Sequence, residues 1–220
     1  MAEFRCKTII ITLRGYCLLL FLSGSVLSHA QIPVQLLGGH RAFEFDFMWQ
    51  KDMDKNGKFN LFNFSYFSLD YQNSKDNAYE IYLAGTYNLN RTWGIAGGGR
   101  FLNGELWPQI AISYQLETSN LYFNILPAVQ YIPSLRTTGY GLFGLFSYTP
   151  GINEVWGLFT QIVFEPFFGN EGHIYSVQMM RLGLDYKSLF QFGFGANLEQ
   201  IGKEFQLTQN YGLFIRRVLN

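Results

Sequence analysis

The most constraining feature of the sequence is a strict alternation of apolar and polar residues over unusually long segments. In residues 42–49 the aromatic side chains Phe43, Phe45, Phe47 and Trp49 occupy every second position. Period two is the periodicity of a β-strand with one apolar face. Strands of soluble proteins usually have five or six residues, whereas a tilted strand that crosses a bilayer has about 9–11. The alternation therefore predicts strands of membrane-spanning length.

The same alternation recurs along the rest of the chain. It predicts further strands near 59–70, 78–88, 92–101, 106–117, 121–131, 139–148, 155–165, 173–186, 188–198 and 207–218. Turn-forming Asn, Asp, Gly, Ser and Pro residues separate these segments. That makes eleven strands with residues 42–49, whereas single-chain bacterial barrels have an even number. Residues 32–39, where apolar residues alternate before Gly38-Gly39, are the best candidate for the missing strand.

A strand at 32–39 gives a twelve-stranded antiparallel transmembrane β-barrel with short loops. External loops of such barrels are longer than periplasmic turns. With twelve strands, the expected external connections total roughly 32 residues and the periplasmic ones roughly 23. The connection lengths therefore favour twelve strands, and ten strands is the alternative.

Residues 1–30 have the pattern of a secretory signal peptide. Basic residues precede an apolar run at 16–22, and Ser28-His29-Ala30 supplies small residues before a predicted cleavage site at Gln31. An N-terminal membrane anchor is the alternative. Both cysteines, Cys6 and Cys17, lie in this segment. The predicted mature chain, 31–220, therefore has no disulfide, cysteine metal site or cysteine nucleophile.

The composition excludes several classes of protein. Aromatic residues make up 18% of the chain and charged residues 15%, so the chain is not expected to be disordered. The 16 basic and 16 acidic residues balance, and no basic stripe indicates binding to nucleic acid. Aromatic side chains at alternating strand positions are typical of the girdles that transmembrane barrels place at the membrane interfaces.

The whole mature chain resembles small outer-membrane β-barrel proteins of Gram-negative bacteria. The resemblance rests on the signal peptide, the cysteine-free mature chain, the alternating aromatic strands and the terminal strand at 211–215. It is a likeness to a class, since no motif identifies one family. One departure is the end of the chain, Val218-Leu219-Asn220, because such proteins commonly end in an aromatic residue. The resemblance implies an all-β transmembrane fold and an outer-membrane location. A secreted soluble sandwich or lipocalin-like barrel is the alternative.

If the apolar face of each strand meets lipid, the opposite face lines the lumen. The predicted lumen-lining residues are Glu44, Asp46, Glu80, Arg100, Gln115, Glu165, Arg181, Asp185 and Arg216. Pairs of arginine and carboxylate side chains could form a plug-like network or the polar lining of a pore. In an open pore the net acidic lining would favour cations. Inward glycines such as Gly98, Gly141 and Gly193 could thin the wall beside a water path or make room for larger neighbours.

The sequence provides little evidence for catalysis, and we expect no enzymatic activity and no cofactor. Outer-membrane barrels include hydrolases, whose nucleophile needs a base within hydrogen-bond reach. The two histidines of the mature chain are His40 and His173, and neither has the spacing of a zinc site. His173 and Ser176 are three residues apart, so a regular strand would place them on opposite faces.

Residues 52–57 match the opening of a calcium-binding loop. Asp52, Asp54 and Asn56 supply oxygens at alternate positions, and Gly57 follows. The twelfth position is Asn63 instead of a bidentate glutamate, and neighbouring lysines reduce the negative charge. A hairpin turn explains the same residues.

The sequence favours a narrow, porin-like passive channel for small hydrophilic solutes. Twelve strands give a lumen that is wider than that of a small barrel filled by side chains and narrower than that of an open porin. The alternative is a non-transporting accessory barrel that binds other outer-membrane proteins, which the short loops favour. A lipid-modifying enzyme is the third hypothesis. The expected partners are outer-membrane lipid, a small hydrophilic solute for a channel, and other outer-membrane proteins for an accessory barrel.

Overall fold

The computed structural model describes residues 32–219 as a closed barrel of twelve antiparallel strands. The predicted signal peptide at 1–30 lies outside the described residues. The strands are β1 (Ile32–Gly39), β2 (Ala42–Asp52), β3 (Phe59–Asp70), β4 (Ala78–Asn88), β5 (Trp93–Leu102), β6 (Glu105–Glu117), β7 (Leu121–Ile132), β8 (Thr137–Tyr148), β9 (Trp156–Gly169), β10 (Gly172–Tyr186), β11 (Phe190–Ile201) and β12 (Gln206–Leu219). Within residues 32–219 no helix is long and apolar enough to cross a membrane.

The strand at 32–39 closes the barrel. The predicted number of twelve strands is therefore confirmed, and the alternative of ten strands is excluded. Each strand pairs with its neighbours in sequence, and β1 pairs with β12 from Ile32 opposite Leu219 to Gly39 opposite Gly212. An even number of strands brings both ends of the described chain to one end of the barrel, here called the terminal end. The opposite end is called the distal end.

The connections are short at both ends of the barrel, as predicted. They contain three to seven residues at the terminal end and two to seven at the distal end. The expected excess of residues in the external connections is therefore wrong. Several strands extend beyond their predicted limits, and β9 continues to Gly169 where the alternation ends at about 165. This extension shortens the distal connections.

The two faces of the wall differ as the alternation predicts. Large apolar side chains cover the outside, and Ile110 and Phe194 are 70% and 73% exposed. Aromatic side chains on the outer face gather near both ends, including Trp93 and Trp156 at the terminal end and Tyr140 and Phe168 at the distal end. This is the arrangement expected of a wall in contact with lipid between two interfacial girdles.

The interior is filled in its middle section by aromatic side chains that reach across the lumen. Phe143 of β8 lies 5.3 Å from Phe62 and 5.9 Å from Phe64 of β3, measured between ring centroids. Strands β3 and β8 are five places apart in the ring of twelve, so they stand on nearly opposite walls. The Tyr82 ring packs against Phe143 at 5.5 Å. The lumen is therefore closed here by side chains, without an inserted loop.

The inward glycines make room for this packing. A Cβ atom on Gly141 would lie 2.4 Å from the ring of Phe167, and one on Gly98 would lie 2.1 Å from the carbonyl oxygen of Leu83. The first glycine gives space to a large side chain, and the second allows two strands to approach closely. Of the two explanations for these glycines, the structure supports packing.

Candidate functional site in the barrel lumen

All nine residues that the alternation assigns to the lumen occupy inward positions on their strands. Seven of them are buried and two, Gln115 and Arg216, are half-buried. They do not form one site. They separate into a charged cluster near the distal end, a polar network beside the β1–β12 seam, and a cavity at the terminal end.

The charged cluster is centred on Arg100, whose guanidinium reaches across the distal half of the lumen. Its Nη1 lies 2.6 Å from Glu80 Oε1 on the adjacent strand β4. Its Nη2 contacts Glu165 on β9, four strands away. The guanidinium also lies over the Phe167 ring at 4.2 Å. Arg100 is 1% exposed and Glu165 is 0% exposed, so this cluster is shielded from solvent.

The polar network lies beside the seam and involves five strands, β1, β2, β10, β11 and β12. Arg181 donates to Asn197 Oδ1 at 2.6 Å, and its Nη2 lies 3.8 Å from Asp46 Oδ2. Asp46 also accepts a hydrogen bond of 2.6 Å from Gln35. Glu44 accepts hydrogen bonds from Asn197 and from Asn210, the latter at 2.7 Å. These bonds satisfy buried carboxylates that would otherwise be costly to desolvate.

The terminal end opens into a cavity of about 870 Å³. Met48, Phe62, Leu145 and Phe159 line its inner part. Its charged lining consists of Asp52, Glu117, Glu154, Asp185, Lys187 and Arg216. Four acids against two bases make this lining net acidic. Gln115, the remaining predicted residue, also borders the cavity and accepts a hydrogen bond of 3.2 Å from Gln50.

The aromatic closure is absent from the predictions made from the sequence, which assign only polar residues to the lumen. Phe62, Phe64 and Phe143 also face inward. Residues 62–66 do alternate, but the register against β2 turns the aromatic set, Phe62, Phe64 and Tyr66, inward and places Asn63 and Ser65 on the outer face. The rule that the apolar face meets lipid therefore assigns the wrong face in this part of β3, and only the pairing with β2 reveals it.

The residues at 52–57 form a hairpin turn. The Asp54 carboxylate accepts backbone hydrogen bonds from Asn56 at 3.1 Å and Phe59 at 2.6 Å. Gly57 adopts a left-handed conformation with φ of 62°, which glycine tolerates without steric cost. Among the described residues no group of three or more His, Cys, Asp or Glu side chains could hold a metal ion.

The expectation that His173 and Ser176 face opposite sides is wrong. A β-bulge at the start of β10 places one extra residue between His173, which pairs with Phe168, and Tyr175, which pairs with Phe167. The bulge shifts the alternation by one, so His173 and Ser176 both lie on the outer face. His40 is unrelated to this pair, since its ring stacks on Tyr211 at 4.1 Å.

The closed, lumen-packed barrel of twelve strands has the fold of small outer-membrane β-barrel proteins. It is similar to the NanC porin, with a TM-score of 0.51 and 12% sequence identity over 87% of this chain and 99% of that one. The KdgM porin has a TM-score of 0.47 and 12% identity over 85% of this chain and 98% of that one. No protein-family model matches the chain, and no curated protein matches it in sequence. At this identity, the likeness to NanC shows a shared fold.

Proposed function

We propose that this protein is a narrow channel of the outer membrane for small hydrophilic solutes, closed at rest by the Arg100 cluster and the Phe143 aromatic contacts. A barrel with an even number of strands has both termini in the periplasm, so the acidic cavity opens to that side. The proposal includes export by the N-terminal signal segment. The observation that carries it is the ion-paired Arg100, which crosses the lumen beyond an open polar cavity.

The chemistry of the closure supports a role in gating. A buried ion pair is often no more stabilising than apolar side chains of the same volume. A closure needed only for stability could therefore be built from residues like Phe143 alone. The contacts between Arg100 and its two carboxylates join β4, β5 and β9 through side chains, so their separation would widen the lumen without breaking any strand pairing.

Single-channel conductance in a planar bilayer tests the proposal. We expect brief, discrete openings from the wild-type protein. Glu80→Ala and Arg100→Ala should each lengthen the openings or raise the conductance, because each removes one part of the closure. Lys75→Ala, on an exposed connection outside the lumen, is the matched control and should behave as wild type. Heat-modifiable migration on a gel shows that each variant is folded.

Silence of the folded wild-type protein and of both lumen variants would reject the channel. It would favour the second candidate, a non-transporting accessory barrel. The specific observation behind that candidate is the packing of Phe143 against the opposite wall, which fills the lumen independently of Arg100. Pull-down of outer-membrane proteins with the intact barrel would then be the next measurement.

The charge of the cavity predicts the ion preference of the open channel. The acidic lining attracts cations and repels anions, so we expect a reversal potential on the cation-selective side in a potassium chloride gradient. The double variant Glu117→Gln, Asp185→Asn should move the reversal potential towards zero. Lys58→Gln, in the exposed turn 53–58, is the control. Anion selectivity in the wild type would contradict the proposed path through this cavity.

A further inference from the structure

His173 and Ser176 form a hydrogen-bonded pair on the outer wall, near the distal end. The distance between His173 Nε2 and Ser176 Oγ is 2.6 Å. On the other side of the ring, His173 Nδ1 lies 2.7 Å from the carbonyl oxygen of Gly202. A carbonyl only accepts hydrogen bonds, so Nδ1 carries the proton and Nε2 presents its lone pair to the serine hydroxyl. A hydroxyl, an imidazole base and an orienting acceptor are the parts of an activated nucleophile.

The position of the pair fits an ester in the membrane. The pair lies at the distal rim beside Phe168, one of the aromatic residues on the outer face near this end. Ester bonds of lipids lie at a similar depth, between the headgroups and the acyl chains. On the same wall, an apolar groove of about 640 Å³ is lined by residues that include Ile162, Met180, Phe194, Ala196 and Leu213. It begins about 13 Å from Ser176, four residues along β10.

We propose that Ser176 and His173 are the nucleophile and the general base of a hydrolase that cleaves acyl esters of outer-leaflet lipids. Ser176 Oγ attacks the ester carbonyl while His173 Nε2 takes its proton, and the bond to the alcohol of the lipid breaks as His173 returns that proton to the leaving oxygen. Water, deprotonated by His173, then cleaves the acyl-serine and releases a fatty acid. The apolar groove would hold the acyl chain. The proposal is independent of the channel, which uses the inner face.

Two amide side chains lie on the same face of the wall as Ser176. Gln178 lies two residues after Ser176 on the same face, and Gln200 pairs with Ser176 across the strands. Gln178 Nε2 lies 3.4 Å from Gln200 Oε1, so the two amides are neighbours. Their N–H groups are donors of the kind that stabilise the oxyanion formed when an ester is attacked.

Phe205 covers the pair and must move before a lipid can reach it. Its ring stacks on the His173 ring at 4.1 Å, which leaves His173 5% and Ser176 4% exposed. The φ angle of Phe205 is 51°, a left-handed conformation that is strained for a non-glycine residue. Access to the pair requires the Phe205 ring to rotate away from the His173 ring.

The connection that carries Phe205 is tethered by a contact at the surface. Lys203 Nζ lies 2.9 Å from a Glu171 carboxylate oxygen, and both side chains are mostly exposed. Its hydrogen bond and positive charge lower the pKa of Glu171. An exposed pair of this kind adds little to stability. The start of the same connection is fastened to β10 by a hydrogen bond of 2.8 Å from Gly202 N to the carbonyl oxygen of Ile174, so the Phe205 side chain can move while Gly202 stays in place.

The test is fatty-acid release by the purified, folded protein from phosphatidylethanolamine vesicles and, separately, from lipopolysaccharide. Release in either assay supports the proposal and identifies the source of the ester. Ser176→Ala and His173→Gln should each lower the rate about 10²–10⁴-fold. Phe205→Ala should raise it by uncovering the pair. Thr138→Ala, on the outer face at the distal end of β8, is the matched control and should leave release unchanged.

A fluorophosphonate probe gives a readout that does not depend on the natural lipid. Ser176 Oγ should form a bond to phosphorus as fluoride leaves, and mass spectrometry should locate the adduct on Ser176. His173→Gln should slow this labelling. If folded wild-type protein neither releases fatty acid in either assay nor reacts with the probe, the hydrolase is rejected and the pair only fastens the β11–β12 connection to β10.

Discussion

Replacement of Arg100 by methionine is expected to lower the free energy of unfolding by about 3–5 kcal/mol. Methionine keeps much of the volume but removes the charge that both Glu80 and Glu165 face. Two carboxylates would then remain in an interior that solvent does not reach. Urea unfolding of the detergent-folded barrel, followed by tryptophan fluorescence, measures the loss as a shift of the midpoint.

A triple variant separates charge from packing at this site. Arg100→Met combined with Glu80→Gln and Glu165→Gln contains no unpaired charge, so it should recover most of the lost stability. Arg136→Met replaces an exposed arginine in the distal connection between β7 and β8, and its effect should stay within about 0.5 kcal/mol. If the single variant loses less than about 1 kcal/mol, water reaches the carboxylates and the lumen is open at this level.

The alternation predicts the architecture because it records the environment of each residue. Side chains that meet lipid are mostly apolar, whereas side chains that point inward are free to be polar, so alternate positions of a strand show the two environments. The short segment at 32–39 had the weakest alternation, and the rule of an even strand number identified it. The lengths of the connections were less informative, since strands such as β9 extend past the end of their alternation.

The partners of the inward residues were harder to predict than their orientation. Glu80 and Arg100 are both predicted to line the lumen, and the adjacent strands β4 and β5 bring the two together. Glu165 reaches the same guanidinium because the tilt and stagger of the closed barrel bring β9 to its level. The tilt and the stagger depend on how all twelve strands pair with their neighbours. No local sequence pattern specifies that pairing.

The outer-wall pair was missed for a different reason. The rule that residues three apart face opposite sides holds in a regular strand, but the bulge near Ile174 adds one residue. A bulge of this kind requires no glycine or proline, so the residue types of the segment do not reveal it. The hydrogen bond between His173 and Ser176 is therefore visible only once the pairing of β9 with β10 is known.

The closing seam provides the second large effect, because Gly212→Ala should prevent β1 and β12 from pairing as they do. A Cβ atom on Gly212 would lie 2.0 Å from the carbonyl oxygen of Gly38 and 2.7 Å from Cα of Gly39. Both neighbours are backbone atoms, so no rotation of a side chain relieves the clash. We expect a destabilisation of at least about 1–3 kcal/mol and a smaller folded, heat-modifiable fraction on a gel.

Gly38→Ala is the matched control for this prediction, since it changes a glycine of the same seam. Its Cβ would have no atom within 4 Å, and the position is exposed on the outer face. Alanine there should leave the folded fraction unchanged or raise it slightly, because glycine is intrinsically unfavourable within a strand. Equal folded fractions for the two variants would mean that the seam can separate locally to admit a methyl group. A clear difference would show that the close approach of β1 and β12 is required for closure of the barrel.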